Sequence, residues 1–293
     1  MLSRLNYNAQ KRIIIFTFLV VPIAILVTFS YLPLANMFRY SFFRWDGLNK
    51  VMEPLGFQNY IDLFTKRDYF SVFGVSLYYL FGSFVQLGLA MYFATILSFK
   101  TVGKNIFKGV LFFPYLLNSV AIGFIFLYFF TPKGTLDSFL NIFGLDHLIT
   151  KWLGNRDVIN FSLAGTSVWR YMGYNFVLFL GAIQSVPGEL YEAAEIEGAN
   201  KWHLFKYIIF PSVIKIIEIN MILSISGAIS AFEIPYIMTG GGNGSKTFVI
   251  QTVDLAFKNK KYGLASAMGI VLFTIVILVT TIQKRLFRDK EEA

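Results

Sequence analysis

Side chains able to make or break bonds are few in this chain, and their spacing does not suit that work. The two histidines, His147 and His203, stand far apart, cysteine is absent, and no phosphate-cradling GxxxxGK[ST] run occurs. No nucleophile has a base at a telling spacing and no metal-ligand pattern is formed, so neither catalysis on lipid nor ATP chemistry is indicated. What remains is polar rather than reactive. Gln86, Asn118, Ser119, Arg170, Tyr174, Asn175, Ser224, Ser230, Glu233 and Tyr236 sit in otherwise apolar tracts, where an unsatisfied polar group is costly. Their chemistry is hydrogen bonding, either to a solute crossing a helix bundle or to one another as ties between helices. Arg170 and Glu233 carry opposite charges near one end of their tracts, which leaves a salt bridge, a gate contact and simple placement at a membrane interface all open.

The elements that must position these groups follow from composition. Of 293 residues, 56% are hydrophobic and only 15% are Asp, Glu, Lys or Arg, and mean hydropathy is +0.59. Soluble domains carry about 25% charge, so the solvent implied here is lipid. The net charge of +9 is spread around apolar segments; with no basic helix or aromatic RNA-binding motif, juxtamembrane lysines explain it and nucleic acid is not indicated.

Apolar tracts at 13–35, 69–99, 109–132, 162–185, 211–238 and 262–283 are each long enough for a hydrocarbon core about 30 Å thick. The expected fold is an all-α polytopic membrane protein with six transmembrane helices. The first tract follows Lys11-Arg12 and runs through Pro22 and Pro33 without a cleavage pattern, so it reads as a retained helix, not a signal peptide. Arg170 interrupts the fourth, which can shift to 168–187, and Lys215 with Glu218 forms an i,i+3 pair near the start of the fifth. The chain then divides into a cytoplasmic tail, 1–12, one transmembrane domain, 13–283, and a basic cytoplasmic tail, 284–293. That orientation puts Arg4, Lys11, Arg12, Lys100, Lys104, Lys108, Lys201, Lys206, Lys284, Arg285, Arg288 and Lys290 inside, where they are denser than the basic residues of the longer outer segments. The outer stretches 39–68 and 133–157 contain short interfacial helices such as 60–65.

Residues 189–211 form the charged island between the fourth and fifth tracts. Pro187-Gly188 supplies a turn, and Glu189 and Glu192 then suit the positive end of a helix dipole. Ala193 and Ala194 favour helix, Leu190, Ala194 and Phe205 offer contact, and Gly198 permits a bent or left-handed backbone between two short helices. Pro211, lacking a donor, suits the first turn of the fifth span. On periodicity alone the island is either a tied-down cytoplasmic loop or an element that docks a partner.

The order Glu192-Ala193-Ala194, then Gly198, then Ile208-Ile209-Phe210-Pro211 resembles the loop of the permease subunits of binding-protein-dependent ABC importers, in the carbohydrate group of MalF-like and glycerol-phosphate permeases. Phe210 stands where Leu is usual. The run 181–191, the segment 113–117, the stretch 169–176 and Thr239-Gly240-Gly241-Gly242-Asn243 are similar to the same group, with Asn243 in place of Pro.

The resemblance implies a cytoplasmic coupling helix-turn-helix between helices four and five, seated in an ATPase cleft through Glu189, Glu192, Ala193, Ala194, Gly198, Trp202, Phe205 and Pro211. It implies a substrate path in the fourth and fifth spans, near Gly173, Tyr174, Asn175, Phe176, Ser224, Glu233 and Tyr236. The two asparagines of the maltose-type site are replaced at Ala228 and Ala231, so that sugar site does not transfer. The implied function is a permease in a bacterial or archaeal cytoplasmic membrane, both termini cytoplasmic, for a sugar or oligosaccharide. Glycerol-phosphate, a polyol or another small solute is the alternative cargo, and a non-catalytic membrane scaffold the alternative class. The implied partners are two ABC ATPase subunits or copies, which hold the ATP and Mg; a second six-helix permease, distinct or identical; an extracytoplasmic solute-binding protein; and membrane lipid. No cofactor is expected on this chain, and no enzyme activity. Gly240 to Gly242 and Lys258, Lys260 and Lys261 are either contacts for the binding protein or simple turn and span-boundary residues.

Overall fold

The computed structural model describes residues 6–99 and 103–288 and is almost wholly helical. Arg4, Lys100 and Lys290, assigned above to the inner side, lie outside the described residues. In chain order the elements are α1 (Tyr7–Leu26), α2 (Leu32–Tyr40), β1 (Phe43–Arg44), β2 (Glu53–Pro54), α3 (Gln58–Thr65), α4 (Arg67–Phe70), α5 (Ser76–Ser98), α6 (Lys104–Leu116) and α7 (Ser119–Phe129). They continue with α8 (Thr135–Ile142), α9 (Ile159–Gln184), α10 (Gly188–Ile196), α11 (Lys201–Leu204), α12 (Phe210–Ile229), α13 (Glu233–Thr239), α14 (Phe248–Val253) and α15 (Tyr262–Arg288).

Contacts divide the described residues into two compact units, one made of 6–66 with Thr252–Val271, the other of the described part of 67–251 with 272–288. In the first unit α1 presents apolar side chains on every face. A π-helical turn at Val27–Tyr31 joins it to α2. Beyond α2 the all-α expectation needs one correction: β1 and β2 form a two-residue antiparallel ladder, Phe43 opposite Pro54 and Arg44 opposite Glu53. Close approach of the start of α15 sets this corner, where Gly263 leaves no room for a Cβ against the Phe43 carbonyl and donates its N–H to the Trp45 carbonyl at 3.2 Å.

The second unit is built on α5, α9 and α12. Two apolar clusters hold them. One gathers Leu87, Ala90, Ala94 and Leu97 of α5, Phe176, Phe179, Leu180 and Ile183 of α9, and Ile209 and Val213. The other gathers Tyr79, Ile159, Leu163, Ala164, Ala228, Ile234 and Met238. Buried residues of α5 recur at helical spacing from Tyr79 through Ser83, Gln86, Ala90 and Ala94 to Leu97, so one face of that helix serves both clusters. Small residues let α9 lie close, a Cβ on Gly82 meeting Val168 at 3.2 Å.

Among the described residues, Gln10–Tyr40, Asp68–Ser98, Lys201–Thr239 and Tyr262–Phe287 are long and apolar enough to cross a membrane. The third expected span differs from the continuous helix read from 109–132. It is the pair α6 and α7, bent by 100°. Leu117 and Asn118 take extended conformations, and the Asn118 carboxamide oxygen accepts the Val120 N–H at 2.8 Å, starting a new helix inside the apolar tract. The fourth, α9, has length enough at 26 residues, but Asn160, Arg170 and Asn175 lower its hydropathy, and its packing against α5 and α6 covers much of it.

Pro211 lies in the first turn of α12, as expected, but α12 does not start afresh there: the helix is continuous from Lys201 to Ile229. A π-helical turn at Phe205–Ile209 precedes Pro211, the Phe210 N–H reaching back to the Phe205 carbonyl. Widening that turn moves a carbonyl away from the proline ring and absorbs the missing donor. The same arrangement precedes Pro33, where the Leu32 N–H reaches the Val27 carbonyl.

Candidate functional site

Between the two clusters α5, α9 and α12 do not close on one another. They leave a cavity of about 600 Å³. Polar side chains fall in this gap because the helix positions above and below it are taken by the apolar clusters. From α5 come Tyr79, Ser83 and Gln86; from α9 Ser167, Tyr171, Tyr174 and Asn175; from α12 Leu223, Ser224 and Gly227; from the connection to α13 Ser230, Ala231 and Phe232; and from the first turn of α13 Glu233, Ile234 and Pro235. Tyr115 of α6 completes one wall, its ring stacked on Tyr174 with centroids 4.8 Å apart. Gln86 donates to the Ser224 hydroxyl at 3.5 Å, a tie between α5 and α12. The Tyr79 hydroxyl is buried without a hydrogen-bond partner among the described residues, an arrangement that favours a polar occupant.

Of the residues placed on the path from sequence, Tyr174, Asn175, Ser224 and Glu233 line this cavity. Gly173 does not: a Cβ there would stand 2.0 Å from the Leu111 carbonyl oxygen, so its role is the close crossing of α6 over α9. Phe176 is fully buried in the first cluster, and Tyr236 stacks on Phe232 outside the lining. Tyr79, Ser83, Tyr115, Ser167 and Tyr171 were missed. The Tyr79-Ser83-Gln86 spacing of four and three was the available signal, masked by the high hydropathy of the tract around it.

At the cavity edge Arg170 Nη1 donates to Glu233 Oε2 at 2.9 Å. Arg170 is 11% exposed and its guanidinium lies over the Tyr171 ring, whereas Glu233 is 54% exposed. The salt bridge that the sequence left open is formed. Glu233 occupies the first turn of α13, which packs on α7, Gly123 giving way to Ile237. The ion pair therefore ties α13 to α9.

The charged island is an elbow. Helix α10 closes with the Ala199 N–H on the Ala194 carbonyl at 2.9 Å and the Gly198 N–H on Glu195 at 3.0 Å. Gly198 itself has φ +81°, the left-handed residue this closure requires. Asn200 then caps α11, its side chain accepting the His203 N–H at 2.9 Å. Glu189, Glu192 and Ala193 are exposed on α10, Ala194 is half-buried, and Trp202 is exposed with its ring stacked on Phe205. Tyr191 and Phe205 pack against the first cluster and hold the elbow to the bundle; burial pushes the Tyr191 phenol pKa up. The second arm is not a separate short helix, because α11 runs through the π turn into α12. No group of three or more His, Asp or Glu able to hold a metal occurs among the described residues.

Residues 86–291 match the family model of the binding-protein-dependent transport system inner membrane component. The chain is 31% identical over 97% of its length to "Probable ABC transporter permease protein YurN" of Bacillus subtilis, covering 99% of that protein. It is 30% identical over 94% of its length to the multiple sugar-binding transport system permease protein MsmF of Streptococcus mutans, covering 95% of it. A chain in the crystal structure of a bacterial ABC transporter that imports the acidic polysaccharide alginate superposes with a TM-score of 0.84 at 17% identity, over 96% of this chain and 97% of the other.

Proposed function

The chain belongs to the family of binding-protein-dependent transport system inner membrane components, and from that premise we propose that it is the permease subunit of an ABC importer for a sugar or oligosaccharide. The observation that carries the mechanism is the unbroken helix from Lys201 to Ile229, which joins the exposed elbow at one end to the cavity wall at Leu223, Ser224 and Gly227 at the other. A displacement of α10 and α11 is therefore delivered to the cavity with little loss along the helix axis.

In this reading six spans cross the membrane: the continuous helix of α1 and α2, α5, the bent pair α6 and α7, α9, the Lys201–Thr239 segment and α15. An even count puts the ends of α1 and α15 on one side, taken as cytoplasmic because the elbow and its lysines lie there. Exposed Glu189, Glu192 and Ala193 with Trp202 seat in an ATPase subunit, which holds ATP and Mg and performs the hydrolysis. A second permease supplies the other half of the pathway, and an external binding protein delivers the cargo. The stacked Tyr115 and Tyr174 rings suit the face of a sugar, and Asn175, Gln86 and Ser224 suit its hydroxyls.

Reconstitution with the ATPase, second permease and binding protein tests this, with sugar-stimulated ATP turnover and uptake as readouts. Gly198→Pro removes the Gly198 N–H and forbids its positive φ, so stimulated turnover and uptake should be lost while basal ATPase activity persists. Normal coupled uptake in that variant would sink the elbow mechanism. A functional complex indifferent to every sugar, yet driven by glycerol-phosphate or a polyol, would move the cargo assignment and leave the mechanism standing.

A further inference from the structure

Two short helices outside the spans carry their polarity the wrong way round for a protein in water. In α8, Asp137 is buried at 4% exposure and accepts the Trp152 Nε1–H at 2.8 Å and the Lys133 backbone N–H at 2.7 Å. These bonds fix the rotation of the helix. At about 100° per residue, Phe139, Ile142 and Phe143 stand roughly 140–240° around the axis from Asp137, on the opposite face. They are 55%, 79% and 63% exposed. In α3 the anchor is Asn59, which donates to the Ser41 and Phe43 carbonyls at 2.8 and 3.0 Å. Phe57, Ile61 and Phe64, roughly 140–200° away, are again exposed.

From this we infer that α8, and by the same construction α3, lie in the lipid interface as membrane-surface anchors, their apolar triads immersed among lipid chains. Position argues for lipid. Only the turn 130–134 separates α8 from α7, and it is so tight that a Cβ on Gly134 would meet the Tyr128 and Thr131 carbonyls at 2.6 Å. Helix α8 therefore starts at the very end of a spanning half-helix, at the depth where aromatic side chains collect. The exposed apolar side chains of α7, Phe124 and Tyr128 among them, lead up to that point. Chemistry argues the same way. None of the six triad side chains can form a hydrogen bond, whereas a docking surface for a soluble protein carries roughly one per 100–200 Å². Lipid asks for apolar area without direction.

The inference rests on the membrane-spanning reading above, and the test separates the two. The chain has no cysteine, so Ile142→Cys provides a unique label on the full chain assembled with its partner subunits in nanodiscs. Bromine-substituted lipids should remove most of the emission of a fluorophore there, and aqueous iodide should leave it unchanged, with or without binding protein. Asn141→Cys, about 40° from Asp137 and exposed, should remain open to iodide. Quenching of the Ile142→Cys label by iodide and not by lipid overturns the inference, and shielding from both overturns it too, because the face would then be a protein contact. Phe124→Cys on α7 keeps the failures apart: lipid quenching there but not at Ile142→Cys removes only the interfacial placement, and its absence at both removes the spanning reading. Ile61→Cys applies the same criterion to α3.

Discussion

At Pro211 and again at Ser230 the Lys201–Thr239 segment meets residues that do not continue a regular α-helix, and the chain answers differently in the two places. At Pro211 the defect is taken up within the helix. Ile209 and Val213, on either side of it, are both fully buried in the cluster shared with α5 and α9, so the axis is carried through. At Ser230 the helix ends, Phe232 departs to φ −140° and ψ −57°, and α13 starts afresh. Consecutive residues from Ser230 to Pro235 all line the cavity, which a regular helix with one inward face does not allow. Irregular backbone at membrane depth is tolerated where it borders a cavity, and elsewhere the polar groups must stay paired within the helix. One end of the segment thus carries its axis through, and the other breaks beside the cavity.

Three sets of substitutions probe that contrast. The largest effect is expected from Ile209→Ala, which opens a hole beside the π turn and should lower stability by about 2–5 kcal/mol; thermal unfolding in detergent reads this, and a near-neutral result would mean that the cluster does not hold the axis. Glu233→Gln acts at the bending end and leaves the nearly buried Arg170 charge without its carboxylate. A loss of about 1–2 kcal/mol is expected, reduced by the exposure of Glu233, with a smaller loss for Arg170→Gln. Uptake restored by combining Arg170→Glu with Glu233→Arg would establish the tie between α9 and α13, and additive losses would argue against it. The smallest effect should come from Pro211→Ala, within about 1 kcal/mol because the π turn already accommodates the ring. Sugar-coupled ATP turnover should survive it. Loss of coupling there would show that the proline shapes the transmitting end, not merely interrupts it.

Much of this was legible in residue order. The elbow follows from Pro187-Gly188 and Gly198, whose turn preferences act within a few residues, and four of the apolar tracts recur as helices long and apolar enough to cross a membrane; the cap at Asn200 was not read. The bend between α6 and α7 was not read, although Asn118 is a good N-cap, because the surrounding tract is uniformly apolar and gives no boundary. Gly173 was read as part of a path when its missing side chain serves a helix crossing, and the Leu111 carbonyl that demands it lies far away in sequence.

Order alone was therefore enough for a helical bundle dissolved in lipid, carrying one charged elbow with a left-handed glycine, since hydropathy and helix closure are local properties. Packing had to select which polar side chains share the cavity. In an apolar helix the face a residue occupies leaves no local trace: Tyr79 and Tyr115 join Asn175 and Ser224 only once the two clusters set α5, α6, α9 and α12 around the same gap.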